Sequence, residues 1–200
     1  MKIIVVGGTG TIGKAVVAEL AERHEVIVAG HRSGDVKVDI KDINSIQKMY
    51  QAVGNFDAVV STSGKVHFGP LLDMTNENYA IGIADKLMGQ VNLVLQGLKY
   101  INEAGSFTLT SGILSNEPIR FGSSASMVNG ALNSFVISSA IEMPKNVRIN
   151  IVSPTVLLES MDAYAAYFRG FEPITAARVA LGYSRSVEGA DTGQVYRLGW

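Results

Sequence analysis

The sequence predicts an α/β fold, a doubly wound parallel sheet in a three-layer α/β/α sandwich of about seven strands. Three observations predict it. Short β-branched runs alternate along the chain with longer stretches whose apolar residues recur at helical spacing. No hairpin signal joins neighbouring strand candidates, so consecutive strands run parallel across helical crossovers. A cluster of glycines sits directly between the first strand and the first helix.

Each element has its own reason. Residues 3–6 are an unbroken Ile-Ile-Val-Val run, suited to a strand covered on both faces. Residues 11–22 carry Ile12, Val16, Val17 and Leu20 at helical spacing. Residues 25–29 and 36–38 are the second and third strands. Asp42 can cap a helix running to 51, with Ile43, Ile46 and Met49 on one face. Residues 56–60 are the fourth strand, followed by a loop containing Gly64, Gly69 and Pro70. Thr75 opens a long helix predicted to reach 103, with Gly105 just beyond its end. Residues 106–110 are the fifth strand. A helix over 123–142 stops before Pro144, and a sixth strand over 147–152 is ended by Pro154. Short helices are expected at 160–168 and 175–181, and a last strand at 194–198.

The 200 residues read as one domain, 1–200, without repeats or a linker. A formal net charge of −1 provides no field to attract nucleic acid or anionic lipid. Cysteine is absent, and the three histidines have neither HxxxH spacing nor a close carboxylate, so no metal site is expected. No apolar run approaches the roughly 20 residues that span a bilayer. The opening strand is too short for a signal-peptide core. The expectation is a cytoplasmic protein with no membrane or nucleic-acid partner.

Gly7-Gly8-Thr9-Gly10-Thr11-Ile12-Gly13 fits Gly-x-Gly-x-x-Gly from Gly8, and Gly-x-x-Gly-x-x-Gly from Gly7. It follows a strand and opens a helix, the context in which this spacing binds a dinucleotide. Glycines let the backbone approach a pyrophosphate, and unpaired N–H groups at the helix start favour its charge. This is the loop of a Rossmann fold, and Gly7, Thr9, Gly10, Thr11, Ile12 and Gly13 are its expected contacts.

An NAD site usually places an Asp or Glu at the end of the second strand, about 20 residues past the loop. Here that end reads Ala29-Gly30-His31-Arg32-Ser33-Gly34, without a carboxylate. The Arg32 guanidinium can pair bidentately with a 2′-phosphate, with Ser33 and His31 contributing. The residues therefore favour NADP(H) over NAD(H). Asp39 can accept from the adenine amino group, or serve only as a helix cap or solvated carboxylate.

The chain resembles the short-chain dehydrogenase/reductase family nearly end to end. Its glycine motif is similar to that of extended and atypical members. Val38-Asp39-Ile40 resembles the adenine-contacting segment. Ser61-Thr62-Ser63-Gly64 stands where the family has Asn-Asn-Ala-Gly. Lys86-Leu87-Met88-Gly89 falls at the family's Asn-x-x-Gly, and Thr110-Ser111-Gly112 at the strand end bearing its catalytic serine. Arg148-Ile149-Asn150-Ile151-Val152-Ser153-Pro154 resembles Arg-Val-Asn-x-x-x-Pro-Gly, with Thr155 in the glycine's place. Thr192-Gly193-Gln194-Val195 resembles the start of the family's last strand. The likeness implies that Ser61, Thr62, Ser63 and Pro154 also touch the cofactor. The chain is short around residues 155–175, where the family builds its substrate cover.

The resemblance breaks at the chemistry. The family's reductases use a Tyr as proton donor and a Lys four residues later. Tyr50, Tyr79, Tyr100, Tyr164, Tyr167, Tyr183 and Tyr196 are followed at the fourth position by Gly54, Ile83, Ala104, Phe168, Phe171, Val187 and Trp200. In the helix where the pair belongs, two alignments place Ser123 and Met127, or Ala125 and Asn129, at its positions; the second matches the helix's small residues better.

Ser111 and Lys86 are then the candidate catalytic residues. Ser111 can hydrogen-bond a substrate carbonyl, or only the backbone. Lys86 lies in an apolar stretch beside Leu87, Met88 and Val91. Desolvated there, it could donate a proton or bind ribose; snorkelling to the surface is the alternative. Lys65 and His67 lie on the ligand side, in a loop that is solvated by default. Two functions follow: an NADP(H)-dependent oxidoreductase on a small carbonyl or hydroxyl compound, or a non-catalytic NADP(H)-binding sensor. Apolar residues from Ile81 to Leu98 nearly encircle their helix, which predicts burial on several sides and a homodimer or homotetramer.

Overall fold

A computed structural model describes residues 1–200. Its strands are β1 (Lys2–Val6), β2 (Glu25–Gly30), β3 (Val36–Lys37), β4 (Phe56–Ser61), β5 (Ile101–Thr110), β6 (Arg148–Pro154) and β7 (Val195–Leu198). They form one sheet in the order β3-β2-β1-β4-β5-β6-β7. Every neighbouring pair is parallel, as predicted. The helices are α1 (Thr11–Ala21), α2 (Ile43–Val53), α3 (Asn76–Gly82), α4 (Met88–Gly97), α5 (Ser123–Ser139), α6 (Met161–Tyr164) and α7 (Ala176–Glu188).

Alternation along the strands builds a core on each face. Ile4 and Val6 of β1 join one cluster with Ile46 and Tyr50 of α2, Leu93 of α4 and Leu132 of α5. Ile3 and Val5 point the other way, to Val16 and Leu20 of α1 and Val179 and Tyr183 of α7. Period-two strands buried on both faces need apolar residues at every position, which explains the unbroken runs. The chain winds outward from β1 to β3, then returns to place β4 on the other side of β1. That reversal leaves a crevice at the carboxyl ends of β1 and β4.

The helix predicted over 75–103 is a correction. It divides into α3, a π-helical segment at Ile83–Leu87, and α4. The chain leaves the helix at Gly97, where a Cβ would lie 2.8 Å from a Phe107 ring carbon. Tyr100 N–H turns back to the Gly97 carbonyl at 2.9 Å, and Ile101 then pairs with Phe56. Close packing and strand pairing outweigh the helical pattern, so Gly105 lies inside β5 rather than capping a helix. The helix expected over 175–181 continues to Glu188, and that over 160–168 shrinks to α6 with a 3₁₀ turn before it. Nor is the middle helix buried all round. Leu93 and Val94 are core, whereas Ile81, Ile83, Met88 and Leu95 are exposed on the single chain.

One side chain locks the site's framework. Pairing of β4 with β5 ends at Thr108, leaving Thr110 without a strand partner on that side. Gln90 of α4 takes the partner's place. Its Oε1 accepts from Thr110 N–H at 2.8 Å, and its Nε2 donates to the Thr110 carbonyl at 2.9 Å. Gln90→Met leaves both buried groups unpaired and is expected to cost about 2–4 kcal/mol. Urea unfolding checks this; an unchanged midpoint would show the clamp to be dispensable.

Candidate functional site

The glycine turn is built at contact distance. Gly7 has φ 83°, a left-handed conformation that favours glycine. A Cβ on Gly13 would lie 2.1 Å from the Gly7 carbonyl oxygen, so α1 starts hard against the end of β1. Gly10 caps α1 without a side-chain hydrogen bond, leaving the helix start open to a ligand. A cleft of about 800 Å³ opens there, lined by Gly7, Thr9, Gly10, Arg32, Asp39 and Ser63 among others. The size and open backbone donors fit a dinucleotide's pyrophosphate and adenosine.

The loop after β2 is folded upon itself. Asp35 N–H donates to the Val28 carbonyl, and Val28 N–H donates to the Asp35 carboxylate, both at 2.8 Å. The Lys37 ammonium donates to the Arg32 carbonyl at 2.5 Å. This presents His31, Arg32 and Ser33 along one wall of the cleft, with Asp39 and Lys41 beside them. Asp39 Oδ1 accepts from Lys41 N–H at 3.0 Å, which fixes the carboxylate.

The predicted residues separate into groups. Gly7, Thr9, Gly10, His31, Arg32, Ser33, Asp39, Thr62 and Ser63 line the cleft together, and so does Lys65. Thr11, Ile12, Gly13, Ser61 and Pro154 are not among its lining residues. Gly13 acts through packing, and Ile12 packs against the core beside α7. Ser61 is buried, its carbonyl accepting from the Thr110 hydroxyl at 2.5 Å.

Lys86 and Ser111 meet beyond the cleft. The Lys86 ammonium donates to the Ser111 carbonyl at 3.0 Å. Gly64 lies on the lysine stem so closely that a Cβ there would come 2.6 Å from Lys86 Cγ. Part of the residue remains accessible, but the ammonium is enclosed. Burial lowers its pKa to about 8. Ser111 is buried, and its hydroxyl has no hydrogen-bond partner.

Sequence reasoning assigned no role to Asp85 or Asn129. Asp85 lines the cleft and accepts from Lys65 N–H at 3.0 Å. With Lys86 it forms a charged pair in an apolar helix, which was the available signal; the π turn that aims the two apart has no periodicity to betray it. Asn129 is buried, its Oδ1 unpartnered and its Nδ2 3.2 Å from where a Gly112 Cβ would stand. Of the two alignments of α5, Ala125 and Asn129 form the buried pair. Met127 is exposed, and Ser123 Oγ lies 3.0 Å from the Tyr79 hydroxyl.

Comparison with known proteins agrees with this architecture. The family described as "Enoyl-(Acyl carrier protein) reductase" matches residues 3–196. Versicolorin reductase 1 of Dothistroma septosporum is 28% identical over 198 residues, covering 86% of this chain and 74% of its own. The crystal structure of lin1944 from Listeria innocua is 52% identical, with TM-score 0.97 and 98% of each chain covered. A small-chain dehydrogenase crystallised with NADPH shares the fold at TM-score 0.87 and 24% identity, covering 98% of this chain and 95% of its own. The chain belongs to the short-chain dehydrogenase/reductase family of oxidoreductases. No helix is long and apolar enough to cross a membrane.

The turn's geometry makes a graded prediction. Gly13→Ala forces the Gly7 carbonyl aside and is expected to cost about 1–3 kcal/mol, as overpacking does. Gly10→Ala, whose Cβ would sit 3.4 Å from that oxygen, should change stability much less. Paired thermal melts decide; equal losses would mean the close approach is not what constrains the turn.

Proposed function

We propose that this chain is an NADP(H)-dependent oxidoreductase on a small carbonyl or hydroxyl compound, in which Lys86 supplies the proton. The observation that carries the reading is the enclosed Lys86 ammonium beside Ser111. Gly7, Thr9, Gly10 and Thr11 would hold the pyrophosphate, with Ile12 and Gly13 setting the helix start. Arg32 and Ser33, aided by His31, would hold the 2′-phosphate; Asp39 would meet the adenine. Thr62 and Ser63, which line the cleft, would extend that contact beyond the loop, with Ser61 and Pro154 contributing at strand ends. The NADPH-bound small-chain dehydrogenase supports this only as far as the shared fold accommodates that cofactor.

When bound, the nicotinamide gives or takes a hydride. The chain's own residues do the rest. The unpartnered Ser111 hydroxyl can donate to a carbonyl oxygen. Lys86 holds a proton at Nζ below its pKa of about 8 and can pass it to that oxygen. In the reverse direction the neutral amine, present above that pH, takes the proton back. Exposed Ile83, Met88 and Leu95, with Ile137 of α5, support assembly of a homodimer or homotetramer. One observation favours a second reading, a non-catalytic NADP(H) sensor: no tyrosine is followed four residues on by lysine.

A carbonyl panel with NADPH separates the readings. Lys86→Met is expected to lower reduction about 100-fold or more while leaving NADPH affinity nearly unchanged. Wild-type reduction should fall as pH rises through about 8, and alcohol oxidation should rise. Tight NADPH binding without turnover of any panel member would establish the sensor instead.

A further inference from the structure

Two carboxylates stand in the 800 Å³ cleft, those of Asp39 and Asp85. Each is held by one backbone N–H at 3.0 Å, from Lys41 and from Lys65 respectively. Neither forms an ion pair. Asp39 follows β3, on the wall that also carries Arg32. Asp85 belongs to the other wall, on the π-helical segment beside the loop that follows β4.

That wall is fixed at two points. Gly64, with φ 147°, approaches the Lys86 stem so closely that a Cβ would come 2.6 Å from Cγ. One residue on, Lys65 N–H donates to Asp85 Oδ1. The carboxylate is thereby placed before any ligand arrives, and its Oδ2 makes no hydrogen bond. Lys86, its neighbour in sequence, does not neutralise it, because that ammonium donates to the Ser111 carbonyl at 3.0 Å. A group already held in place loses little freedom on binding. π turns recur at functional sites for the same reason, that they aim particular side chains.

The chemistry of a carboxylate selects its complement. It accepts hydrogen bonds and donates none. Phosphates offer it no donor and carry charge of the same sign. A dinucleotide carries hydroxyl donors on its two riboses, one on each side of the pyrophosphate. Rossmann sites commonly meet a ribose hydroxyl with an acid at the end of the second strand. Here residues 29–34 hold no carboxylate, and Asp85 brings one from across the cleft. Lys65 lines the same wall and supplies the opposite charge, which limits repulsion of the pyrophosphate.

We propose that Asp85 is a cofactor-binding residue that accepts a hydrogen bond from a ribose hydroxyl of the bound dinucleotide. The inference rests on the NADP(H) reading of the cleft. The same π turn then carries a cofactor contact and, one residue on, the proton donor of the oxidoreductase reading.

Isothermal titration with NADP⁺ and with adenosine 2′,5′-bisphosphate tests it, on the wild type, Asp85→Ala and Asp85→Asn. Asp85→Ala is expected to weaken NADP⁺ about tenfold or more, the effect of losing a hydrogen bond to a charged group. Asp85→Asn keeps an oxygen for Lys65 N–H without the second acceptor, and should weaken NADP⁺ about threefold or more. The bisphosphate carries the adenosine ribose alone. Parallel weakening of the bisphosphate assigns the hydroxyl to that ribose; unchanged binding assigns it to the nicotinamide ribose. Wild-type NADP⁺ affinity in Asp85→Asn would show a carboxylate that only tethers the loop, and overturns the proposal. So does unchanged or tighter NADP⁺ binding in Asp85→Ala, the mark of a carboxylate that only repels phosphate. A wild type that binds no NADP⁺ overturns the cofactor reading itself, and this proposal with it.

Discussion

The contact between Gly13 and the Gly7 carbonyl is the constraint on which the rest depends. It sets α1 against the end of β1 at a separation that no side chain allows. The helix therefore starts at the carboxyl end of β1, beside the crevice that Gly10 lines, with no side chain capping it. Because β2 and β4 flank β1, the loops after all three strands border the same opening. Arg32 and Asp39 reach it from one side, Thr62 and Ser63 from the other. A side chain at residue 13 would push the helix away and blunt both its dipole and its backbone donors.

The region around Lys86 and Ser111 depends on a different device. Gly64 lies against the Lys86 stem, and Gln90 one turn later grips Thr110. Between them the π segment turns Asp85 toward the cleft and Lys86 toward Ser111. A regular helix would rotate these neighbours differently, and π turns recur where function needs such a rotation. Burial of the ammonium disfavours its charged form, which brings its pKa close to neutral pH. In the oxidoreductase reading proposed above, this is what would let a lysine on this helix donate the proton without a tyrosine beside it.

The sequence was most legible where local rules and global packing agree. The β1 run and the glycine spacing announce strand, turn and helix together, and the structure joins them so. Legibility failed at residues 97–105, because Gly97 ends the helix through contact with Phe107, a residue ten positions away. Helical periodicity cannot carry that information. The cleft wall formed by Arg32 and Ser33 was readable, since residues just past a strand must face its carboxyl end. The burial and unpartnered oxygen of Asn129, placed by the sequence only at one position of the missing pair, were not, because a missing hydrogen bond and nearness to Gly112 are properties of the folded chain. The apolar encirclement of α3 and α4 misled for a related reason. Apolar surface left over after the core is filled faces outward on a single chain.

The most direct test of the central claim, an NADP(H) cleft read by Arg32, is the ratio of NADH to NADPH dissociation constants in the wild type and in Arg32→Ala. Fluorescence titration should show NADPH bound at least about tenfold more tightly by the wild type, and that preference largely lost in the variant. A wild-type preference for NADH, or equal loss of both affinities in the variant, would contradict the account.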